Sequence, residues 1–221
     1  MNDQSPFVIA ISGSAGAGKT TLVNVLAERL GGAAKLFFDD FSADCKWWPL
    51  YGPEAAAGDH YQKWLREGGN PDHYVSAPQF AAALRTLRNG AAQVSVNRFV
   101  VIEEPWGRSR RETAEMIDFV AHIDLLLDVA LCRRLLHDAE QGGNILKVIR
   151  QYHDLNFTYY YQHNRETPGR TADLVMDGMR TPDELAADLI DTLKSKLGLH
   201  LPEAQKKKEA RSDDRASLSL D

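Results

Sequence analysis

Cysteine is nearly missing from this 221-residue chain: only Cys45 and Cys132 occur. Two thiols cannot build a disulfide framework or a four-cysteine zinc site. The histidines are scattered, with no H-E-x-x-H or comparable spacing, so no protein-bound zinc is expected. Long apolar runs are missing too. Stretches such as 99–102 and 125–127 fall far short of the roughly 18–20 residues that span a bilayer as a helix. The opening MNDQSPFVIAISG has no basic n-region and no cleavage site. Positive charge is not in excess, with 26 Lys and Arg against 31 Asp and Glu and a net charge of −5. Bulk attraction to nucleic acid or to an anionic membrane is therefore not expected. These absences point to a reducing compartment and a cytoplasmic protein. With 43% hydrophobic and 26% charged residues the composition is that of an ordinary globular chain, long enough to bury a sizeable core.

The elements alternate. Phe7–Ile11 is a short branched apolar run, the pattern of a strand buried on both faces. A glycine-rich turn follows, then a helix with Leu22, Val25, Leu26 and Leu30 at helical spacing, stopped by Gly31-Gly32. Lys35–Phe38 reads as a second strand, Pro78–Leu87 as a helix, and Phe99–Ile102 as a third strand. Ser109 with Glu112 suggests a capping box for a helix to about His122. Asp124–Val129 reads as a fourth strand followed by a helix, Ile145 to about Gln162 as another helix, and Asp173–Met176 as a fifth strand. Thr181-Pro182-Asp183-Glu184 is a helix start with cap, proline and Glu in place. The pattern predicts an α/β protein with a parallel, about five-stranded sheet covered on both faces. Ligands of such sheets bind beyond the carboxyl ends of the strands, where Gly13, Asp39 and Glu103 fall. Residues 201–221 are a charged tail with nothing to bury.

The specific motif is Gly13-Ser14-Ala15-Gly16-Ala17-Gly18-Lys19-Thr20, a full G-x-x-x-x-G-K-[ST] between a strand and a helix. Small residues let successive backbone N–H groups curl around phosphate oxygens, and the helix points its positive end at them. Lys19 can reach the β- and γ-phosphates and the Thr20 hydroxyl can ligate Mg²⁺, with Thr21 beside it. The chain is expected to bind ATP with Mg²⁺. No N-K-x-D element is present to read guanine. A small kinase needs an acid for the acceptor hydroxyl, a Mg²⁺-associated acid and mobile arginines. Asp39, Glu103 and the pair Arg133-Arg134 stand in that order.

These residues together resemble the uridine kinase/phosphoribulokinase family of P-loop kinases. Asp39-Asp40-Phe41 is similar to the family's D-D-F or D-x-F-Y element, which implies Asp39 as catalytic base. Ile102-Glu103 is similar to its I-E-G, with Glu104 in place of glycine. Arg133-Arg134-Leu135-Leu136-His137-Asp138 is similar to the lid-start R-R-x-x-R-D, with His137 for the third basic residue. Residues 168–174 resemble P-x-K-x-x-A-D-L. The resemblance covers residues 7 to about 195. It implies a three-layer α/β/α P-loop domain over residues 1–200 with a helical lid at about 133–160. The activity implied is ATP- and Mg²⁺-dependent transfer of a phosphoryl group to a hydroxyl, above all of a nucleoside. Kinases of this kind often pair, so a homodimer is a further partner it suggests.

Departures bear on the acceptor. Only about a dozen residues separate Gly90 from Glu103, where uridine kinases place a longer insertion. The pocket should then come from the aromatic-rich segment 41–76, with Asp40, Phe41, Trp47, Trp48 and His73 as contacts, and Arg108 as either a substrate ligand or a salt bridge to Glu104. Cys132, beside Leu131, reads as a core residue. Two other readings stay open. One is a non-catalytic nucleotide-binding regulatory module. The other is a kinase for a sugar, phosphopentose or vitamin, with Arg108, Arg110 and Arg111 as an anion cluster.

Overall fold

The computed structural model describes residues 5–44, 46–47, 75–89, 98–154, 165–166 and 168–198. At its centre lies β1 (Phe7–Gly13), whose residues from Val8 onward are all buried. β5 (Phe99–Glu103) pairs with it on one side and β6 (Phe119–Asp124) on the other, both parallel. β2 (Ala34–Phe37) joins outside β5 and β7 (Leu174–Asp177) outside β6, giving the all-parallel order β2-β5-β1-β6-β7. A separate two-stranded antiparallel ladder pairs β3 (Lys46–Trp47) with β4 (Val75–Ser76).

Alternation along β1 divides the core in two. Ile9 and Ile11 face α1 (Lys19–Arg29) and α6 (Pro182–Leu197), among Leu22, Leu26, Val101, Ile123 and Leu189. Val8 and Ala10 face the opposite layer, with Phe38, Trp106 and the buried Phe80 and Leu84 of α2 (Pro78–Arg88). Both faces of the sheet are thus covered, as continuous apolar strands require. α6 begins with the full capping box between Thr181 and Glu184 and with Pro182 at its first position.

Three sequence expectations are corrected. The fourth strand is Phe119–Asp124, not Asp124–Val129. Pairing in register from Ile9↔Phe119 to Gly13↔Ile123 buries FVAHI, while the run from Leu127 opens α4 (Leu127–Glu140). No long helix runs from Ser109 to His122. A 3₁₀ turn (Gly107–Ser109) leads into the four-residue α3 (Arg111–Ala114), whose cap position is Arg110 with no side-chain cap. The Glu112 carboxylate instead accepts the Ser76 hydroxyl at 2.5 Å and the Ala77 N–H at 2.8 Å. Cys132 is exposed rather than core, because Ala130 is the residue of α4 that is buried.

The span where a lid is expected begins with two helices, α4 and α5 (Ile145–Asp154). The end of the expected lid, most of segment 41–76 and the charged tail lie outside the described residues. Among the described residues, no helix is long and apolar enough to cross a membrane.

Candidate active site

Register brings the strand ends to one edge: Ile11 and Phe37 both stand opposite Glu103, and Gly13 opposite Ile123. The loop 13–18 crosses this edge from β1 into α1. Its glycines are needed for conformation, since Gly16 and Gly18 have φ of +83° and +94°. No acidic residue of α1 itself occupies its first turn, so the helix presents its positive end to the loop. Lys19 is buried, with Nζ donating to the Ser14 carbonyl at 3.1 Å and lying 3.5 Å from Glu103 Oε1. The Thr20 hydroxyl donates to Glu103 Oε2 at 2.7 Å. The structure therefore brings Lys19, Thr20 and Glu103 together. Ser14 Oγ is buried with no hydrogen-bond partner among the described residues, and Ala15 and Ala17 complete the loop.

Thr20 and Glu103 fit Mg²⁺ chemically, as hard oxygen donors. Among the described residues no three His, Cys, Asp or Glu side chains gather into a metal cage. An ion held by Thr20 and Glu103 would complete its shell from phosphate oxygens and water, which is how Mg²⁺ is usually bound beside nucleotides.

Asp39 and Asp40 lie in the first turn of a 3₁₀ helix (Phe38–Asp44) that continues directly from β2. Both are exposed, two and three residues beyond the rung that pairs Phe37 with Glu103. Phe41 is half-buried and packs its ring edge-on to Phe80 at 5.5 Å, at the margin of the core on that face of the sheet. Trp48, His73 and the side chain of Trp47 lie outside the described residues.

Arg133 and Arg134 part company. Arg133 donates to the Gly178 carbonyl at 3.0 Å and lines a cleft of about 380 Å³ with Ala17, Gly18, Thr21 and residues 178–182. It stands on the α1 side of the loop. Arg134 lies 3.9 Å from Asp138, one turn along α4.

Arg108 does not reach Glu104. Its guanidinium donates to the Ile117 and Asp118 carbonyls at 3.2 and 2.7 Å and pairs with Asp173 at 2.8 Å. Glu104 is taken by Arg110 at 2.6 Å and by the Thr113 hydroxyl at 3.0 Å, all three residues being buried. Burial pushes the Glu104 carboxyl above its ordinary range, against the pull of Arg110 and Thr113.

Sequence reasoning missed a second acid at a strand end. Asp124 ends β6 beside the loop and is ion-paired with Arg165, whose guanidinium holds the carboxyl below its usual range. Placing the fourth strand correctly would have found it by the rule that found Asp39 and Glu103. Below it, His122 Nδ1 lies 2.9 Å from Ser12 Oγ. Burial lowers the His122 pKa from 6.5 to about 4, opposed by the charge of Asp124 and a hydrogen bond to the Arg165 backbone and helped by the positive charges of Lys19 and Arg165. The folded state thus keeps the ring neutral while the unfolded chain takes up its proton first. That stabilisation is complete above pH 6.5 and is lost as the pH falls toward 4. Between about pH 7.5 and about pH 5, His122 should account for about 2 kcal/mol of lost stability. Urea unfolding of wild type and His122→Gln at both pH values checks this; equal losses in the two proteins would refute it.

The sheet order and the glycine loop with Lys19, Thr20 and Glu103 define the P-loop class of nucleotide-binding α/β proteins. Within that class the sequence is similar to curated uridine kinases. It is 28% identical over 157 residues to the uridine kinase of Deinococcus deserti, covering 66% of this chain and 76% of that one. Against the uridine kinase of Bacillus pumilus it is 25% identical over 162 residues, covering 66% and 75%. Against that of Staphylococcus haemolyticus it is 26% identical over 159 residues, again covering 66% and 75%. The resemblance expected from the motifs is borne out. No protein-family model matches the sequence. Among solved structures, a shikimate kinase from Aquifex aeolicus aligns with a TM-score of 0.48 at 15% identity, over 88% of this chain and all of that one.

Proposed function

We propose that this chain is a phosphotransferase that moves the γ-phosphoryl group of ATP to a hydroxyl of an uncharged small molecule, foremost the 5′-hydroxyl of a nucleoside. The observation that carries the reading is the cluster of Lys19, Thr20 and Glu103 under the loop, with Asp39 projecting from the neighbouring strand end. Its similarity to uridine kinases over two-thirds of the chain favours the same reaction class.

The residues divide the work. The loop amides and Lys19 hold the phosphates, and the 380 Å³ cleft beside Gly18 and Thr21 receives the nucleotide base. That volume lies within the usual range for small-molecule sites. Arg133, tied to Gly178 in the same cleft, serves the nucleotide rather than the acceptor. Mg²⁺ at Thr20 and Glu103 would supply charge neutralisation for the phosphates. The acceptor oxygen forms its bond to the γ-phosphorus as the bond to the β–γ bridging oxygen breaks. The acceptor proton passes to the Asp39 carboxylate, and ADP leaves.

An uncharged acceptor is favoured because Arg108 and Arg110, two members of the anion cluster a phosphopentose would need, are engaged by Asp173 and Glu104. Phe41, half-buried two residues past Asp39 and backed by the buried Phe80, offers an aromatic surface for a planar base. The test is acceptor-stimulated ADP release with ATP and Mg²⁺ across nucleosides, pentoses and vitamin alcohols. One uncharged acceptor should raise the rate, and Lys19→Ala should abolish that rise. Nucleotide binding with silence across the panel would refute the kinase reading.

A further inference from the structure

Arg110 is sealed in the core at 1% exposure. Its Nε and Nη2 donate at 3.1 and 2.6 Å to one oxygen of Glu104, which also accepts the Thr113 hydroxyl at 3.0 Å. The Glu104 N–H in turn donates to the Ile11 carbonyl of β1 at 3.1 Å. The guanidinium lies among three aromatic rings, 5.0 Å from Phe38, 5.2 Å from Phe80 and 5.8 Å from Trp106. Phe38 packs further on Trp106 at 4.9 Å and on Phe80 at 5.7 Å.

Stability alone does not account for this arrangement. A buried ion pair is costly to desolvate, and apolar residues of the same volume serve a core at least as well. The covalent neighbours of the group point to another role. Glu104 follows Glu103 directly, and Phe38 directly precedes Asp39. The β2–β5 ladder ends on the rung Phe37↔Glu103. From Phe38 the chain is a 3₁₀ helix, with no further rung to β5 to fix its distance from Glu103. The contact from Glu104 through Arg110 to Phe38 bridges that gap one residue past the last rung.

We propose that Glu104 and Arg110 form a buried bracket that sets the position of Asp39 relative to Glu103, which makes Arg110 a positioning residue for transfer to the acceptor. The proposal rests on the reading of Asp39 as the group that takes the acceptor proton. It also gives a purpose to the acid that stands at position 104 where the resembled family carries glycine. Arginine suits the bracket better than lysine: its rigid planar fork fixes two donors on one carboxylate oxygen while its flat face lies on the rings, whereas an ammonium has neither a fixed fork nor a flat face.

The test compares wild type with Arg110→Lys, with the double variant Glu104→Leu/Arg110→Met, and with Asp39→Asn. The lysine variant keeps a cation opposite Glu104, and the double variant removes both charges, so neither leaves one buried alone. Three quantities are read: ATP affinity, turnover with the best acceptor of the panel, and hydrogen exchange of residues 38–44 by mass spectrometry. Both bracket variants should bind ATP within about threefold of wild type and turn over about 100-fold more slowly, the loss a misplacement of about 1 Å can cause. Exchange over residues 38–44 should accelerate about tenfold or more, with β1 and α1 unchanged. Unchanged exchange in both bracket variants would overturn the proposal. So would turnover within about threefold of wild type while Asp39→Asn is inactive, and that result would leave the reading of Asp39 intact. Full turnover in Asp39→Asn would overturn the reading of Asp39 and the bracket with it.

Discussion

An Asp39→Asn protein should bind ATP within about threefold of wild type yet transfer phosphoryl groups about 10³-fold more slowly, since general-base catalysis contributes roughly 10²–10⁴-fold. The two effects separate because they rest on different elements. Lys19, Thr20 and Glu103 hold one another across the junction of β1, α1 and β5, without help from residue 39. Asparagine keeps the size of aspartate and can still accept a hydrogen bond from the acceptor hydroxyl, but it cannot take the proton. Asp39 is exposed, so the change should alter folding stability by no more than about 0.5 kcal/mol. Asp40→Asn is the internal comparison, since the neighbouring carboxylate is equally exposed one residue further from the rung at Glu103. Initial rates of acceptor-dependent ADP release, with calorimetric titration of ATP, decide the matter. A large loss in Asp40→Asn with a normal Asp39→Asn would move the proton-accepting role by one residue.

How much of this was legible in the sequence depends on how local each cause is. The loop was legible because its chemistry is contiguous: a buried strand, small residues, then Lys19 and Thr20 opening a helix. Glu103 was legible because a strand buried on both faces announces where it ends, and Asp39 because the Asp39-Asp40 pair breaks the apolar run of the half-exposed edge strand β2. The fourth strand was misplaced because FVAHID carries His122 and Asp124 among its apolar residues, while 125–127 is wholly apolar. Only the pairing with β1 shows that the mixed run is the strand. The partner of Glu104 was also out of reach. Arg108 is the nearer in sequence, four residues from Glu104 against six for Arg110, but the turn at Gly107–Ser109 sends Arg108 to Asp173 and leaves Arg110 among the rings. Likewise, helical spacing could not say that Arg133 belongs to a cleft built with Gly178, 45 residues away. Chemistry written in one segment could be read; chemistry assembled by packing could not.

The same distinction separates two glycines of the loop. Gly16→Ala should lower ATP affinity by about 100-fold or more and destabilise the fold by about 1–3 kcal/mol. A Cβ at residue 16 would lie 2.1 Å from the Ala130 carbonyl oxygen and 2.9 Å from its carbon. Those atoms belong to the backbone of α4 at its one buried position, where neither can yield. The loop itself must move, and with it the N–H groups that face the phosphates. At Gly18 the backbone is as unusual, with φ of +94°, but among the described residues nothing beyond its chain neighbours lies within 4 Å of a Cβ built there. Gly18→Ala should therefore show the cost of left-handed backbone alone, about 1–2 kcal/mol, with a smaller loss of affinity. Thermal unfolding with and without ATP and Mg²⁺ reads both quantities at once. The rise in melting temperature on adding nucleotide should vanish in Gly16→Ala and persist, reduced, in Gly18→Ala. An undiminished rise in Gly16→Ala would mean that the approach of the loop to α4 does not shape the phosphate cradle.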